Sequence, residues 1–230
     1  MTDKTYLIVG ASGDIGKAVH RDLQDENIIS ISKIRPPEYK SEHHFLDLSG
    51  QISEEDVREI TDHIDVIDGL IWSPGAELFG MFQDTDLKAM DEQYNISIRS
   101  LIIFIKVILP KLKLSKSGRI IVISSVWGTV GASFESIYAT MKGAQNTLVK
   151  SLAKELAATD ITVNAVAPGV VSGSMTSALS DEDLEAVLGE LPQQRLVEPS
   201  EVSSSVCFIL NDSSKSINGE ILNINGGWYT

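Results

Sequence analysis

Three side chains in the middle of the chain are of types that could pass a proton to or from a substrate oxygen. Ser125 follows the run Gly118-Arg-Ile-Ile-Val-Ile-Ser124, Tyr138 stands thirteen positions further on, and Lys142 four after that. A spacing of four places Tyr138 and Lys142 on one face of a helix. A phenol ordinarily titrates near 10, so chemistry at neutral pH requires help for the phenolate. An ammonium group one turn away gives that help by direct charge. Ser125 can hydrogen-bond a substrate oxygen while Tyr138 gives or takes its proton. Taken singly, each residue reads as well as a surface pair or a turn residue; the set gains weight from a second motif.

That motif is Gly10-Ala-Ser-Gly13-Asp-Ile-Gly16, directly after the apolar run Tyr6–Val9. It leads into a stretch with Ile15, Ala18, Val19 and Leu23 at helical spacing. Glycine at such a turn lets the backbone approach a pyrophosphate, and the helix N-terminus supplies free N–H groups and positive dipole. Ser12, Asp14 and Ile15 belong to the same turn. Where a carboxylate would hold the adenosine ribose of NAD, the chain reads Ser30-Ile-Ser32-Lys33-Ile-Arg35. Lys33 and Arg35, helped by Ser32, suit a 2′-phosphate, so NADP(H) is favoured over NAD(H). The competing reading is a solvated basic loop.

The elements that must hold these residues alternate strand and helix. Short runs rich in Ile and Val occur at Tyr6–Val9, Ile28–Ile31, His44–Leu46, Val66–Trp72, Arg119–Ser124, Ile161–Val166 and Glu220–Ile224. Such runs suit strands buried on both faces. Ser53 and Asp56 form a capping-box start, Asp86 to Leu109 reads as one long helix ended by Pro110, and Phe134 to Ala158 reads as another. The expected fold is α/β: a single Rossmann-like doubly wound parallel sheet of about seven strands, with helices on both faces. Residues 1–230 form one domain with a substrate lid at about 170–195. Between Ser32 and His44 the short connection carries Pro36 and Pro37, so a loop or single turn is expected there in place of a crossover helix.

Composition bounds the partners. Nineteen basic against thirty-two acidic residues give a net charge of −13, which repels a phosphate backbone, so no nucleic-acid partner is expected. The single Cys207 excludes an internal disulfide framework. The apolar run Leu101–Leu109 is broken by Lys106 and is too short to span a bilayer. Strand one begins almost at the first residue and leaves no room for a secretory signal, so a cytoplasmic location is expected. His43 and His44 lie far in sequence from the other candidates, and no metal site is expected.

The motifs extend further. Asp47, Asn95, Asn164-Ala-Val-Ala-Pro168-Gly169 and Gly219-Glu-Ile-Leu-Asn-Ile-Asn225-Gly226-Gly227 join the glycine loop and the Ser125, Tyr138, Lys142 set. With them the chain resembles the short-chain dehydrogenase/reductase superfamily nearly end to end. The closing stretch is most similar to the 3-oxoacyl-carrier-protein reductase branch. The resemblance implies an NAD(P)-dependent oxidoreductase that reduces a ketone or 3-oxo group to an alcohol, or the reverse. Tyr138 would be the general acid in reduction, and Lys142 would bind the nicotinamide ribose and depress the tyrosine pKa. Ser125 would polarise the substrate carbonyl, and Asn95 would bend its helix to hold a water in a proton relay. Asp47 would touch the adenine, and the backbone after Pro168 would meet the nicotinamide carboxamide. Gly10, Gly16, Leu48, Ser73, Gly75, Gly169 and Val171 complete the cofactor residues implied.

Three positions depart from the family pattern. Trp72-Ser73-Pro74-Gly75 stands where Asn-Asn-Ala-Gly is usual, so Trp72 packs on cofactor or fills the sheet edge. Asp14 stands where the middle glycine is usual, and a carboxylate so near a pyrophosphate must point away or cap the helix. Gly173 stands where a threonine is usual, with Ser172, Ser174 or Thr176 as substitutes. Ser180 caps a short acidic helix, Asp181 to Leu188, in the lid. Trp127, Phe134, Glu135, Met175, Leu179 and Trp228 are expected near the pocket, with Trp127, Glu135 and Met175 touching substrate beside Ser125 and Tyr138. The expected partner is a small carbonyl or alcohol; an acyl group on a carrier protein would need the patch Lys111, Lys113, Lys116 and Arg119. A cofactor-sensing or scaffold protein of the same fold is the alternative of a different class. The long helices carry more apolar surface than one sheet face needs, and the resemblance implies that they pair across two-fold axes in a homo-dimer or homo-tetramer.

Overall fold

The structure, a computed structural model, describes residues 4–230. Seven strands form one parallel sheet: β1 (Thr5–Val9), β2 (Asn27–Ser32), β3 (Glu42–Phe45), β4 (Gly69–Trp72), β5 (Arg119–Ile123), β6 (Thr162–Pro168) and β7 (Ile221–Ile224). Their order is β3-β2-β1-β4-β5-β6-β7, so the chain reverses direction across the sheet between β1 and β4. A crevice beyond the carboxyl ends of the strands at that reversal is where an open α/β sheet takes its ligand. Side chains alternate across the pleat and build two cores. Leu7, Val9, Leu70, Trp72, Ile120 and Val122 face one core, while Tyr6, Ile8, Ile71, Ile121 and Ile123 face the other.

Eight α-helical segments are among the described residues. They are α1 (Asp14–Asp22), α2 (Glu54–Thr61), α3 (Leu87–Tyr94), α4 (Ser100–Leu112), α5 (Trp127–Val130), α6 (Ser136–Glu155), α7 (Asp181–Glu190) and α8 (Pro199–Leu210). Helices α1 and α8 pack on one face and α2, α4 and α6 on the other. Ser53 and Asp56 close the capping box at the start of α2: the Asp56 amide donates to Ser53 Oγ, and the Ser53 amide to Asp56 Oδ2. Between β2 and β3 there is no helix. Tyr39 covers the gap, stacking on His20 at 3.5 Å between ring centroids and donating its hydroxyl to the Ala11 carbonyl.

The structure corrects several boundaries. The stretch Asp86–Leu109 is not one regular helix, because a π-helical turn over Asn95–Arg99 separates α3 from α4. Pro110 does not end α4, which continues to Leu112. Pro110 has no N–H to give the Lys106 carbonyl, so α4 lacks one hydrogen bond near its end and still runs on through its last turn. Phe134 lies outside α6 at φ 63°, in the left-handed region, and α6 stops at Glu155 rather than Ala158. Trp72 lies on a central strand rather than a sheet edge and is fully buried, with its ring edge-on to Phe104 at 5.5 Å.

Candidate active site

Ser125, Tyr138 and Lys142, the candidate proton-transfer residues, converge beyond the carboxyl ends of β5 and β6. Ser125 follows β5 and is buried, its Oγ accepting from the Trp127 amide at 3.2 Å. That turn is fixed to β6, since the Val126 amide donates to the Pro168 carbonyl at 2.9 Å. Tyr138 and Lys142 lie one turn apart on α6, with Lys142 Nζ 5.6 Å from the centre of the Tyr138 ring. Lys142 Nζ also donates to the Ile123 carbonyl at 2.8 Å. Gly128 permits this approach, because a Cβ there would sit 2.7 Å from the Lys142 backbone.

Electrostatics differ from the sequence expectation. Burial pushes the Tyr138 phenol up to about 12; the Ser125 hydroxyl opposes this, and Glu135 and Glu77 add to it. The expected depression by Lys142 is not seen; the lysine directs a hydrogen bond to the Ile123 carbonyl and is itself drawn down to about 8 by burial. Removing a charged group from water disfavours the charged form of both side chains, which keeps the phenol protonated and the ammonium weakly held.

The glycine loop forms a close-packed cradle. Gly10 has φ 80°, and a Cβ on it would lie 2.7 Å from the Pro74 nitrogen. A Cβ on Gly16 would lie 2.3 Å from the Gly10 carbonyl oxygen. Both glycines are therefore required for the loop to pass beside the Ser73-Pro74 turn and enter α1. The first amides of α1, from Asp14 onward, have no partner within the helix and form a site suited to a pyrophosphate. Ser12 lies in that loop, Ile15 in the first turn of α1, and the Ser73 amide donates to the Val9 carbonyl at 2.9 Å. A Cβ on Gly75 would reach 4.0 Å from Lys142 Nζ, so this crevice runs from the glycine loop to Lys142.

At the far end of the crevice, Lys33 and Asp47 are paired at 2.9 Å. The Lys33 ammonium and the Ser49 amide and hydroxyl hold the Asp47 carboxyl down to about 2. Arg35 donates to the Tyr39 and Ser41 carbonyls at 3.0 and 3.3 Å, and Ser32 Oγ donates to the Ile34 carbonyl. Leu48 is buried beside Asp47. Asn95 opens the π-helical turn and donates from Nδ2 to the Ser49 carbonyl at 3.0 Å. Gln145, on the same helix as Lys142, donates to the Ser97 carbonyl within that turn at 2.9 Å.

After Pro168 and Gly169, Val171 pairs with Val197 across an isolated bridge, which anchors both ends of the segment between them. Ser180 caps α7 by accepting from the Asp183 amide at 3.1 Å. The three hydroxyls offered for the missing threonine are all engaged elsewhere: Ser172 with Glu198, Ser174 with Asp14, and Thr176 with Gly173. Asp14 caps nothing; its carboxylate accepts from the Ser174 amide at 2.7 Å and the Ser174 hydroxyl at 2.8 Å.

Aromatic side chains gather beside Ser125. Trp127 meets Trp228 at 4.9 Å and Tyr229 at 5.8 Å between ring centroids. Glu135 precedes α6, and its carboxyl is pushed up by burial. Phe134 stacks on Phe79 at 5.4 Å, and both are substantially exposed, as are Met175 and Leu179. Phe79, Glu77 and Tyr229 were not anticipated.

The family profile described as enoyl-(acyl carrier protein) reductase matches residues 49–229, most of the chain. An uncharacterized oxidoreductase, YmfI, of Bacillus subtilis (strain 168) is 35% identical over 99% of both chains. The chain belongs to the short-chain dehydrogenase/reductase family. A 3-oxoacyl-[acyl-carrier-protein] reductase, FabG, of Vibrio cholerae is 31% identical over 98% of this chain and 97% of its own. Among solved structures, the aldohexose dehydrogenase AldT of Thermoplasma acidophilum superposes with a TM-score of 0.90 at 26% identity, covering 98% of this chain and 94% of its own. As a short-chain dehydrogenase/reductase the protein is an oxidoreductase of a family that uses NAD or NADP. No helix among the described residues is long and apolar enough to cross a membrane.

Proposed function

We propose that the protein reduces a ketone or 3-oxo group on a small molecule to the alcohol with NADPH, with the reverse reaction available to it. The observation that carries this reading is the convergence of Ser125, Tyr138 and a fully buried Lys142 beyond β5, at the end of a crevice that begins in the glycine loop. Gly10, Ser12, the α1 amides and the Ser73–Gly75 turn would hold the dinucleotide, with Lys142, the Pro168–Gly169 backbone and Val171 at its nicotinamide end. When bound, the cofactor supplies the hydride; the protein supplies orientation and the proton.

Ser125 Oγ donates to the substrate carbonyl oxygen and fixes it beside Tyr138. The phenol, held protonated by burial, gives its proton to that oxygen as negative charge develops. Lys142 would hold the nicotinamide ribose, with its ammonium 5.6 Å from the centre of the Tyr138 ring, and Asn95 with the π-helical turn opens the route by which the proton is replaced. Trp127, Glu135 and Met175 border the substrate, and residues 170–195 act as its lid. Lys33 and Arg35 would bind the 2′-phosphate, with Lys33 shared between that phosphate and Asp47. This reading places the enzyme in the cytoplasm as a homo-dimer or homo-tetramer.

Replacing Tyr138 with Phe removes one hydroxyl and leaves the ring. Carbonyl reduction in an NADPH-oxidation assay should fall about a thousandfold, within the range for loss of a general acid. NADPH affinity by fluorescence titration should stay within about twofold, since only the transition state loses an interaction. Turnover in Tyr138→Phe equal to the wild type would sink the mechanism. If the wild type bound NADPH yet turned over no carbonyl in a broad panel, the sensor or scaffold reading would replace it.

A further inference from the structure

Two departures from the family pattern, Asp14 and Gly173, meet in space although they lie far apart in sequence. Asp14 Oδ2 accepts from both the amide and the hydroxyl of Ser174, at 2.7 and 2.8 Å. The same oxygen occupies the space a side chain at 173 would need, since a Cβ there would lie 2.3 Å from Oδ2 and 2.8 Å from Cγ. A carboxylate in the first turn of α1 is favoured by the helix dipole, and hydrogen bonds to an ionised oxygen are the stronger kind. The turn that receives it is rigid: Thr176 Oγ1 accepts from the Gly173 amide at 3.0 Å. Ser172 is tied by its amide to the Val197 carbonyl at 2.8 Å.

We propose that Asp14 is a positioning residue that fastens the base of the lid to the first turn of α1, and that Gly173 is its steric counterpart. The inference builds on the reading of residues 170–195 as a lid. The segment leaving the Pro168–Gly169 turn is then held in place from the dinucleotide side by a charged acceptor. The Asp14 carboxylate accepts from Ser174 and from no α1 amide, which leaves those amides free for an anion.

Hydrogen exchange on the full-length protein without cofactor tests the latch apart from any turnover. In Asp14→Gly the Ser174 amide should exchange at least about tenfold faster, whereas Asp14→Asn, which keeps an acceptor oxygen, should preserve most of the protection. Unchanged exchange at Ser174 in Asp14→Gly would overturn the proposal. A second readout is a double-mutant cycle on melting temperature. Gly173→Thr should lower it in the wild-type background and have little effect in the Asp14→Gly background. Equal losses in both would show that the two positions are not one device. NADPH binding by fluorescence titration should weaken about fivefold in Asp14→Gly and be restored in Asp14→Asn. An unchanged dissociation constant in Asp14→Gly would overturn the coupling to the cofactor side.

Discussion

Burial disfavours the charged forms of both Tyr138 and Lys142, and so moves their pKa values in opposite directions. With the phenol raised to about 12 and the ammonium lowered to about 8, the resting site near neutral pH holds a protonated acid. Reduction needs that proton and oxidation needs its removal. With one alcohol–ketone pair followed separately in each direction, the oxidation rate should therefore climb from pH 6 to pH 9 while the reduction rate stays nearly flat. An oxidation rate independent of pH over that range would contradict the assignment. The same lysine carries a stability signature. Its folded-state value lies below the ordinary 10.5, so the unfolded chain binds more protons between about 8 and 10.5. Stability from this group accordingly rises with pH across that window and is lowest below it. Lys142→Met should abolish turnover yet melt a few degrees higher than the wild type at pH 7. That advantage should shrink as both are scanned toward pH 10.5.

At the scale of elements, the π-helical turn Asn95–Arg99 is the feature that regular periodicity does not show. The hydrophobic pattern of Asp86–Leu109 is continuous, but one wider turn shifts the register between α3 and α4 and turns backbone carbonyls outward. Gln145 takes one of them, at Ser97, and the Asn95 side chain fixes the turn to Ser49. Asn95→Ala should lower kcat at least about tenfold, a loss on the scale of an impaired proton relay, while the KM for NADPH moves little. A change confined to KM would assign Asn95 to cofactor binding instead. The connection between β2 and β3 shows the opposite case. Its two prolines and its length were enough to exclude a crossover helix, but that Tyr39 would fold back onto His20 and Ala11 was beyond local pattern.

At the scale of the molecule, several apolar side chains remain exposed on the helices that the resemblance pairs across two-fold axes. Tyr94 on α3 and Ile102 on α4 are each more than two-fifths exposed, and Leu87 is more so. A second copy of the chain would cover them, so light scattering at micromolar concentration should give a dimer or tetramer mass, and a monomer mass would remove the expectation. The net charge of −13 bears on this only weakly, because repulsion between copies is screened beyond about 8–10 Å at physiological salt.

Composition, the alternation of apolar runs with helical stretches, the glycine loop and the Tyr138, Lys142 spacing determined by themselves the fold class, the strand count and the helix face that Tyr138 and Lys142 share. Those features are local: strand burial follows from short β-branched runs, and a four-residue spacing fixes a helix face whatever packs around it. Tertiary structure alone decided what depends on distant segments meeting. The burial that raises Tyr138 and lowers Lys142, the pairing of Lys33 with Asp47, and the Trp127, Trp228, Tyr229 cluster all join side chains from separate elements. Asp14 and Gly173 make the point most directly. In the sequence they are two unrelated departures; in the fold the carboxylate of one fills the space left by the other, because the chain from β6 returns over the first turn of α1.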